Sequence, residues 1–71
     1  MSQNSRILDY MIAHGSISPL EAMNELGVMR LGARIFELKE QAHPIETVMV
    51  EGTNRFGETT RYARYYYQGK R

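Results

Sequence analysis

The sequence predicts an α+β domain: three short helices followed by a two-stranded β-hairpin. Residues 17–41 read as two helices joined by a tight glycine turn, and an amphipathic stripe at helical spacing precedes them. After the break at His43-Pro44, two runs of β-branched and aromatic residues, 45–51 and 59–67, alternate with a glycine-bounded turn.

The first helix is expected from about Asn4 to His14. Ile7, Leu8, Met11 and Ile12 form its apolar stripe, Arg6, Asp9 and Ala13 face mostly outward, and Gly15 ends it. Ile17 stands alone among polar neighbours and is a candidate for a one- or two-residue strand. The second helix is punctuated most clearly. Ser18 caps it, Pro19 fits the first turn, and Glu21 completes a capping box three residues after Ser18. Leu20, Met23 and Leu26 follow at helical spacing, and Gly27 stands where a helix end often takes a left-handed residue.

The third helix is expected from about Met29 to Ala42. Leu31, Ile35 and Leu38, with Ala42 continuing the stripe, should face the core, whereas Arg30, Ala33, Arg34 and Glu37 fall on or near the opposite face. No Ser, Thr or Asp caps its start, which leaves N-terminal amides available to an anion such as a phosphate. Gly32 costs about 0.5–1 kcal/mol against alanine inside a helix. Two reasons for it stand open: close approach of a phosphate or base, or close packing against the preceding helix. Pro44 disfavours helical geometry in His43 and stops the helix.

In the hairpin, Ile45, Val48 or Val50, Ala63, Tyr65 and Tyr67 are expected inward, and Tyr62, Arg64 and Tyr66 outward. A bulge near Val48 would let the alternation slip by one. The turn GTNRFGE is longer than two residues; it places Asn54 and Arg55 at the tip, with Phe56 packed under the hairpin. Residues 68–71 read as a frayed polar tail. Three helices and then a hairpin is the order of a winged helix-turn-helix, whose second motif helix is offered to the DNA major groove.

Seventy-one residues suit one domain, 1–71, with a small core, and the absence of cysteine excludes disulfides or thiolate zinc sites as supplements to it. His14 and His43 lie far apart; each is expected to end a helix, where a cation meets the negative end of the dipole. The N-terminal MSQNSRILDY has no signal-like pattern and no segment approaches membrane-spanning length, so a soluble protein of the bacterial host cytoplasm, without membrane partners, is expected. The net charge is only +1, but residues 52–71 carry Arg55, Arg61, Arg64, Lys70 and Arg71 against Glu58 alone. That concentration suits either an electrostatic contact or simple solubility.

The stretch from Gln3 to Thr47 resembles the small helix-turn-helix domains common in bacteriophages and prophages. The features that carry the resemblance are Ile7, Leu8, Met11, Gly15, Ile17, Glu21, Ala22, Gly27, Arg30, Leu31, Ala33, Arg34, Ile35, Leu38, Ile45 and Thr47. Asn54, Arg55, Phe56, Gly57, Ala63 and Tyr65 are similar to the wing of that group. One departure is Gln41-Ala42 before His43, where the pattern often has a glycine ending the helix. The resemblance implies a winged-helix DNA-binding fold.

No nucleotide-binding glycine loop, cysteine nucleophile or supported Ser-His-Asp set is present; the paired Glu37 and Glu40 suit a solvated helix face, and neither an enzyme nor a cofactor or metal is expected. Arg30 and Arg34 lie one turn apart and project from the same side. Either can donate two hydrogen bonds to guanine or meet a phosphate, and Arg34 has the alternative of an ion pair to the second helix, such as Glu25. Ala33 leaves room for the groove and for a thymine methyl. A narrow minor groove would attract Arg55 at the wing tip. Arg61 and Arg64 lie on opposite strand faces, so at most one shares a surface with Arg55. Tyr65, Tyr66 and Tyr67 suit core and edge packing better than base stacking.

The leading expectation is sequence-specific binding of double-stranded DNA by a phage-type transcriptional regulator or an excisionase-like architectural factor. The third helix would enter the major groove and the wing would hold flanking phosphates or the minor groove. The residues expected at this interface are Arg30, Gly32, Ala33, Arg34, Glu37, Asn54, Arg55, Arg61 and Arg64. A homodimer or cooperative assembly on DNA is expected, because one recognition helix covers few base pairs. The competing expectation, favoured by the weak overall charge, is a winged-helix module that binds or inhibits a host protein.

Overall fold

The computed structural model describes residues 2–69 as α1 (Gln3–His14), β1 (Ser16–Ile17), α2 (Pro19–Leu26), α3 (Leu31–Glu40), β2 (Ile45–Thr53) and β3 (Thr59–Tyr67). Each helix boundary has a local cause. Ser2 caps α1 by accepting from the Ser5 amide at 3.1 Å, which starts the helix one residue before the expected Asn4. Gly15, at φ +88°, ends it and donates its N–H to the Met11 carbonyl. His14 closes α1 as expected, with its ring centroid 4.3 Å from that of Tyr10. On α2 both halves of the capping box form: the Glu21 amide donates to Ser18 Oγ at 3.2 Å and the Ser18 amide donates to Glu21 Oε1 at 3.0 Å. Gly27, at φ +69°, turns the chain out of α2.

Helix α3 is shorter than expected at both ends. Arg30 occupies the N-cap without a side-chain cap, and Ala42 lies outside the helix, exposed and at φ +68°, instead of extending the core stripe. The His43 amide donates to the Leu38 carbonyl at 3.1 Å and the Ala42 amide to the Lys39 carbonyl at 3.0 Å. That pair of bonds is a Schellman closure, with alanine in the left-handed place usually given to glycine. Pro44 holds His43 out of helical geometry, so the helix must close before His43 and that histidine follows the helix end rather than forming it.

The core is built from Ile7, Met11, Ile17, Ala22, Val28, Leu31, Ile35 and Leu38, with Tyr10, Leu26, Ile45, Tyr65 and Tyr67 packed around it. Leu8 and Ile12 are half-buried at its margin. On α2 the deepest residue is Ala22, whereas Leu20 and Met23 remain 62% and 42% exposed. Ala22 and Leu26, one turn apart, define the inward stripe of this helix; Leu20 and Met23 point off it. Val28, in the turn between α2 and α3, is buried although no helical spacing marks it.

The sheet has the order β1-β3-β2 and is antiparallel throughout. Ile17 forms the short strand expected of it, opposite Tyr65, and so adds a third strand to the hairpin. β2 and β3 pair without interruption from Ile45↔Tyr67 to Thr53↔Thr59, and no bulge occurs at Val48. Ile45, Thr47 and Met49 therefore share the helix-facing side with Ala63, Tyr65 and Tyr67. Val48 and Val50, one of which was expected inward, both lie on the opposite side, half-buried across from Arg64 and Tyr62. Cross-strand packing with those long side chains satisfies the valines without a break in register. Nor does the chain fray at 68: the Gln68 amide donates to the Pro44 carbonyl at 2.7 Å, and its side-chain amide donates to Glu46 at 2.8 Å. Lys70 and Arg71, also assigned to the expected tail, lie outside the described residues.

The C-terminus of α3 generates a stability prediction. Left-handed geometry costs a residue with a Cβ roughly 1–2 kcal/mol, and glycine adds about 0.5–1 kcal/mol of backbone entropy loss. Ala42→Gly is therefore expected to stabilise the protein by roughly 0.5–1 kcal/mol in urea unfolding. Gly27→Ala, in the same geometry with open space around it, should destabilise it by a similar amount. A loss of stability in Ala42→Gly would contradict this account.

Candidate nucleic-acid interface

Leu31, Ile35 and Leu38 anchor α3 in the core and thereby set which of its side chains point out. Helical geometry places Ala33, Phe36 and Glu40 opposite this stripe, Gly32 and Lys39 on the flank towards the sheet, and Arg34 and Glu37 on the flank towards α1. Contacts agree with that wheel. Lys39 Nζ donates to Thr47 Oγ1 on β2 at 3.0 Å, and Asn4 Nδ2 of α1 donates to Glu37 Oε1 at 3.1 Å.

Of the arginines expected on α3, Arg30 is exposed at the N-cap and Arg34 is half-buried one turn later. Together with Gln3, Gly27 and Met29 they line a shallow depression. Arg34 Nη2 stands 3.3 Å from Glu37 Oε2 on its own helix. The ion pair expected as an alternative to DNA contact thus forms with Glu37, three residues further along α3, instead of Glu25. Gly32 is exposed. A methyl group built there would meet only the Tyr65 hydroxyl, at 3.8 Å, so crowding by the preceding helix does not require glycine.

The wing divides its expected residues. Arg55 is exposed at the tip. Asn54, by contrast, is the turn's internal anchor. Its Oδ1 accepts from the Phe56 and Glu58 amides at 2.9 and 3.0 Å, and its Nδ2 donates to Glu58 Oε1 at 3.0 Å. Gly57, at φ +79°, completes the turn, with its amide donating to the Asn54 carbonyl. Phe56 packs under nothing: the turn is too tight to fold it back, and it remains 78% exposed. Arg61 is exposed on the helix-facing side of β3, across from Glu51.

Arg64 is drawn away from this surface. On the other face of the sheet its Nε donates to Ser16 Oγ at 3.0 Å and its Nη2 to Glu21 Oε2 at 3.2 Å. One guanidinium thus joins β3 to β1 and to the capping residue of α2. Partial burial pushes the Glu21 carboxyl up, but the Arg64 hydrogen bond, the Ser18 amide and the Arg64 charge outweigh it and hold the carboxyl below its ordinary value of 4.5. Among the described residues, Arg30, Arg55 and Arg61 have no ion pair.

Phe36 and Lys39 were absent from the expected interface. Phe36 had a legible signal, as an apolar residue off the Leu31–Ile35–Leu38 stripe. The Lys39–Thr47 contact had none, because it joins separate elements. Among the described residues no three metal-ligating side chains come together, and no helix is long and apolar enough to cross a membrane.

A helix pair joined by a glycine turn, with the second helix outward beside a β-hairpin, defines a helix-turn-helix domain with a wing. A family model described as a winged helix-turn-helix domain matches residues 2–68, and the chain belongs to that family. The family suggests DNA binding. Comparison with curated proteins and with solved structures gave no match.

The Arg64–Glu21 link generates a pH prediction. A carboxylate whose folded-state pKa is lowered contributes stability that is complete above the unfolded value. The contribution is lost as pH falls through the folded value. Below about pH 4.5 the melting temperature should therefore fall, and Glu21→Gln should flatten that acid limb while lowering stability at pH 7. An acid limb of unchanged steepness in Glu21→Gln would show that other carboxylates produce it.

Proposed function

We propose that this protein binds double-stranded DNA sequence-specifically, with α3 in the major groove and the wing along flanking phosphates or in the minor groove. The observation that carries the reading is the outward face of α3 standing beside a hairpin with unpaired Arg55 and Arg61, in a chain of a family that suggests DNA binding. Arg30 and Arg34 are the polar contacts on the helix, and Ala33 and Gly32 leave room for the duplex. Glu37 orients Arg34 across the 3.3 Å contact. Asn54 acts through the turn that presents Arg55, and Arg64 through the placement of the wing.

One recognition helix spans few base pairs, so useful specificity requires cooperative binding at a paired site, as a homodimer or as copies meeting on DNA. A phage-type transcriptional regulator and an excisionase-like architectural factor both work this way. A second reading has its own support. Leu20 and Met23 form exposed apolar surface on α2, and the net charge is only +1. These features favour a module that binds or inhibits a host protein. Fluorescence anisotropy with random and pool-selected duplexes at two salt concentrations separates the two. Salt-sensitive binding with a preferred sequence supports the first, and no binding to either duplex supports the second.

Two substitutions test the parts of the interface separately. Arg34→Ala is expected to cost about 1–3 kcal/mol of specific binding. Its effect on folding should stay within about 0.5 kcal/mol, since a half-exposed pair three residues apart contributes little. A large melting loss with unchanged discrimination would make Arg34 a structural residue. Arg55→Ala should weaken selected and random duplexes by similar factors and reduce the log-affinity against log-salt slope by about one. An unaltered slope and affinity would remove the wing tip from the interface.

A further inference from the structure

Phe36 is the large apolar side chain on the outward face of α3, and it is 65% exposed. Nothing in the fold accounts for it there. Leu31, Ile35 and Leu38 complete the helix's contribution to the core, and the wing reaches α3 through Lys39 and Thr47. The residues one turn before Phe36 are Gly32 and Ala33, which leave the ring uncovered on that side. After it come Lys39, held to β2, and Glu40. An aromatic ring thus projects past two small residues, from the middle of the helix that the proposed function assigns to the major groove.

The only sizeable apolar group on a base-pair edge in the major groove is the C5-methyl of thymine. Cytosine offers an amino donor and purines offer acceptors, which an aromatic hydrocarbon cannot satisfy. We propose that Phe36 is a specificity-determining residue that packs on a thymine methyl and selects thymine at one position of the site. The inference rests on the proposed function. Arg30 and Arg34 then supply hydrogen bonds, and Phe36 supplies an apolar contact between one and two turns beyond Arg30 and within the same turn as Arg34.

The test uses the full chain and a duplex selected from a random pool, beside duplexes in which each thymine in turn is replaced by deoxyuridine. That replacement removes the methyl and leaves the base-pairing edge intact. At one thymine it should weaken the wild-type protein about fourfold, the factor that burying one methyl supplies. Phe36→Ala should bind the original duplex more weakly and lose that sensitivity, whereas Phe36→Leu should retain it. Because the ring is exposed, Phe36→Ala should melt at the wild-type temperature, so a folding defect is distinguishable from lost contact. Equal deoxyuridine sensitivity in wild type and Phe36→Ala, or none in wild type, would overturn the inference and leave DNA binding intact. Failure of the wild-type protein to bind any duplex would overturn the proposed function, and the inference with it.

Discussion

Ile17 ties the wing to the helices. Its side chain is fully buried against the helical core, and its backbone pairs with β3 opposite Tyr65. The neighbouring Tyr67 amide donates to the Gly15 carbonyl at 3.0 Å, extending the same edge. Burying a residue of this size contributes about 1.5–3 kcal/mol. A partly exposed ion pair such as Arg64–Glu21 contributes about 0.2–1 kcal/mol. The apolar contact therefore places the hairpin, and the guanidinium bridge refines its angle. An isolated hairpin is marginal in water, and Ile17, with Ile45, Tyr65 and Tyr67 packed around the same core, keeps the wing from being one.

That arrangement divides the charged side chains between architecture and surface. Arg64 belongs to the junction, and Arg34 shares its charge with Glu37. What remains for a polyanion on α3 and the wing is Arg30, Arg55 and Arg61, with Lys39 close to the sheet, while Arg6 lies exposed on α1. Affinity from phosphate neutralisation scales with the number of cations that reach the backbone. On the proposed function, so small a set makes base-edge contacts and pairing of copies carry a larger share of recognition. An exposed aromatic on α3 fits that division, since it discriminates without adding charge.

Ala42 shows a local rule giving way to a neighbouring one. Alanine has no preference for left-handed geometry, yet Pro44 obliges the helix to close before His43. The Schellman bonds to Leu38 and Lys39 offset part of the strain. Similar competition explains α2. Its apolar residues looked like one stripe, but the short helix turns Ala22 inward and leaves Leu20 and Met23 in solvent.

By itself the sequence determined whatever depends on residues within a few positions of one another. The capping box at Ser18, the stops at Gly15 and Gly27, the amphipathic stripe of α3, the strand at Ile17 and the two hairpin runs were all legible, because capping, helical period and turn chemistry are short-range. The exposure of Arg55 followed from its place at the tip of the glycine-bounded turn. Contacts between distant elements were decided only by tertiary structure. Val48 and Val50 took the face opposite the one that packs on α3 because unbroken pairing with β3 fixed the register, and neither valine carries that information alone. Arg64 became a structural link because folding brought Ser16 and Glu21 to it from 48 and 43 residues away. Glu37, whose pairing with Arg34 three residues away is short-range, also accepts from Asn4 because folding brought α1 to it from 33 residues away. Spacing along the chain reveals which side chains share a surface of one element, whereas packing decides what that surface meets.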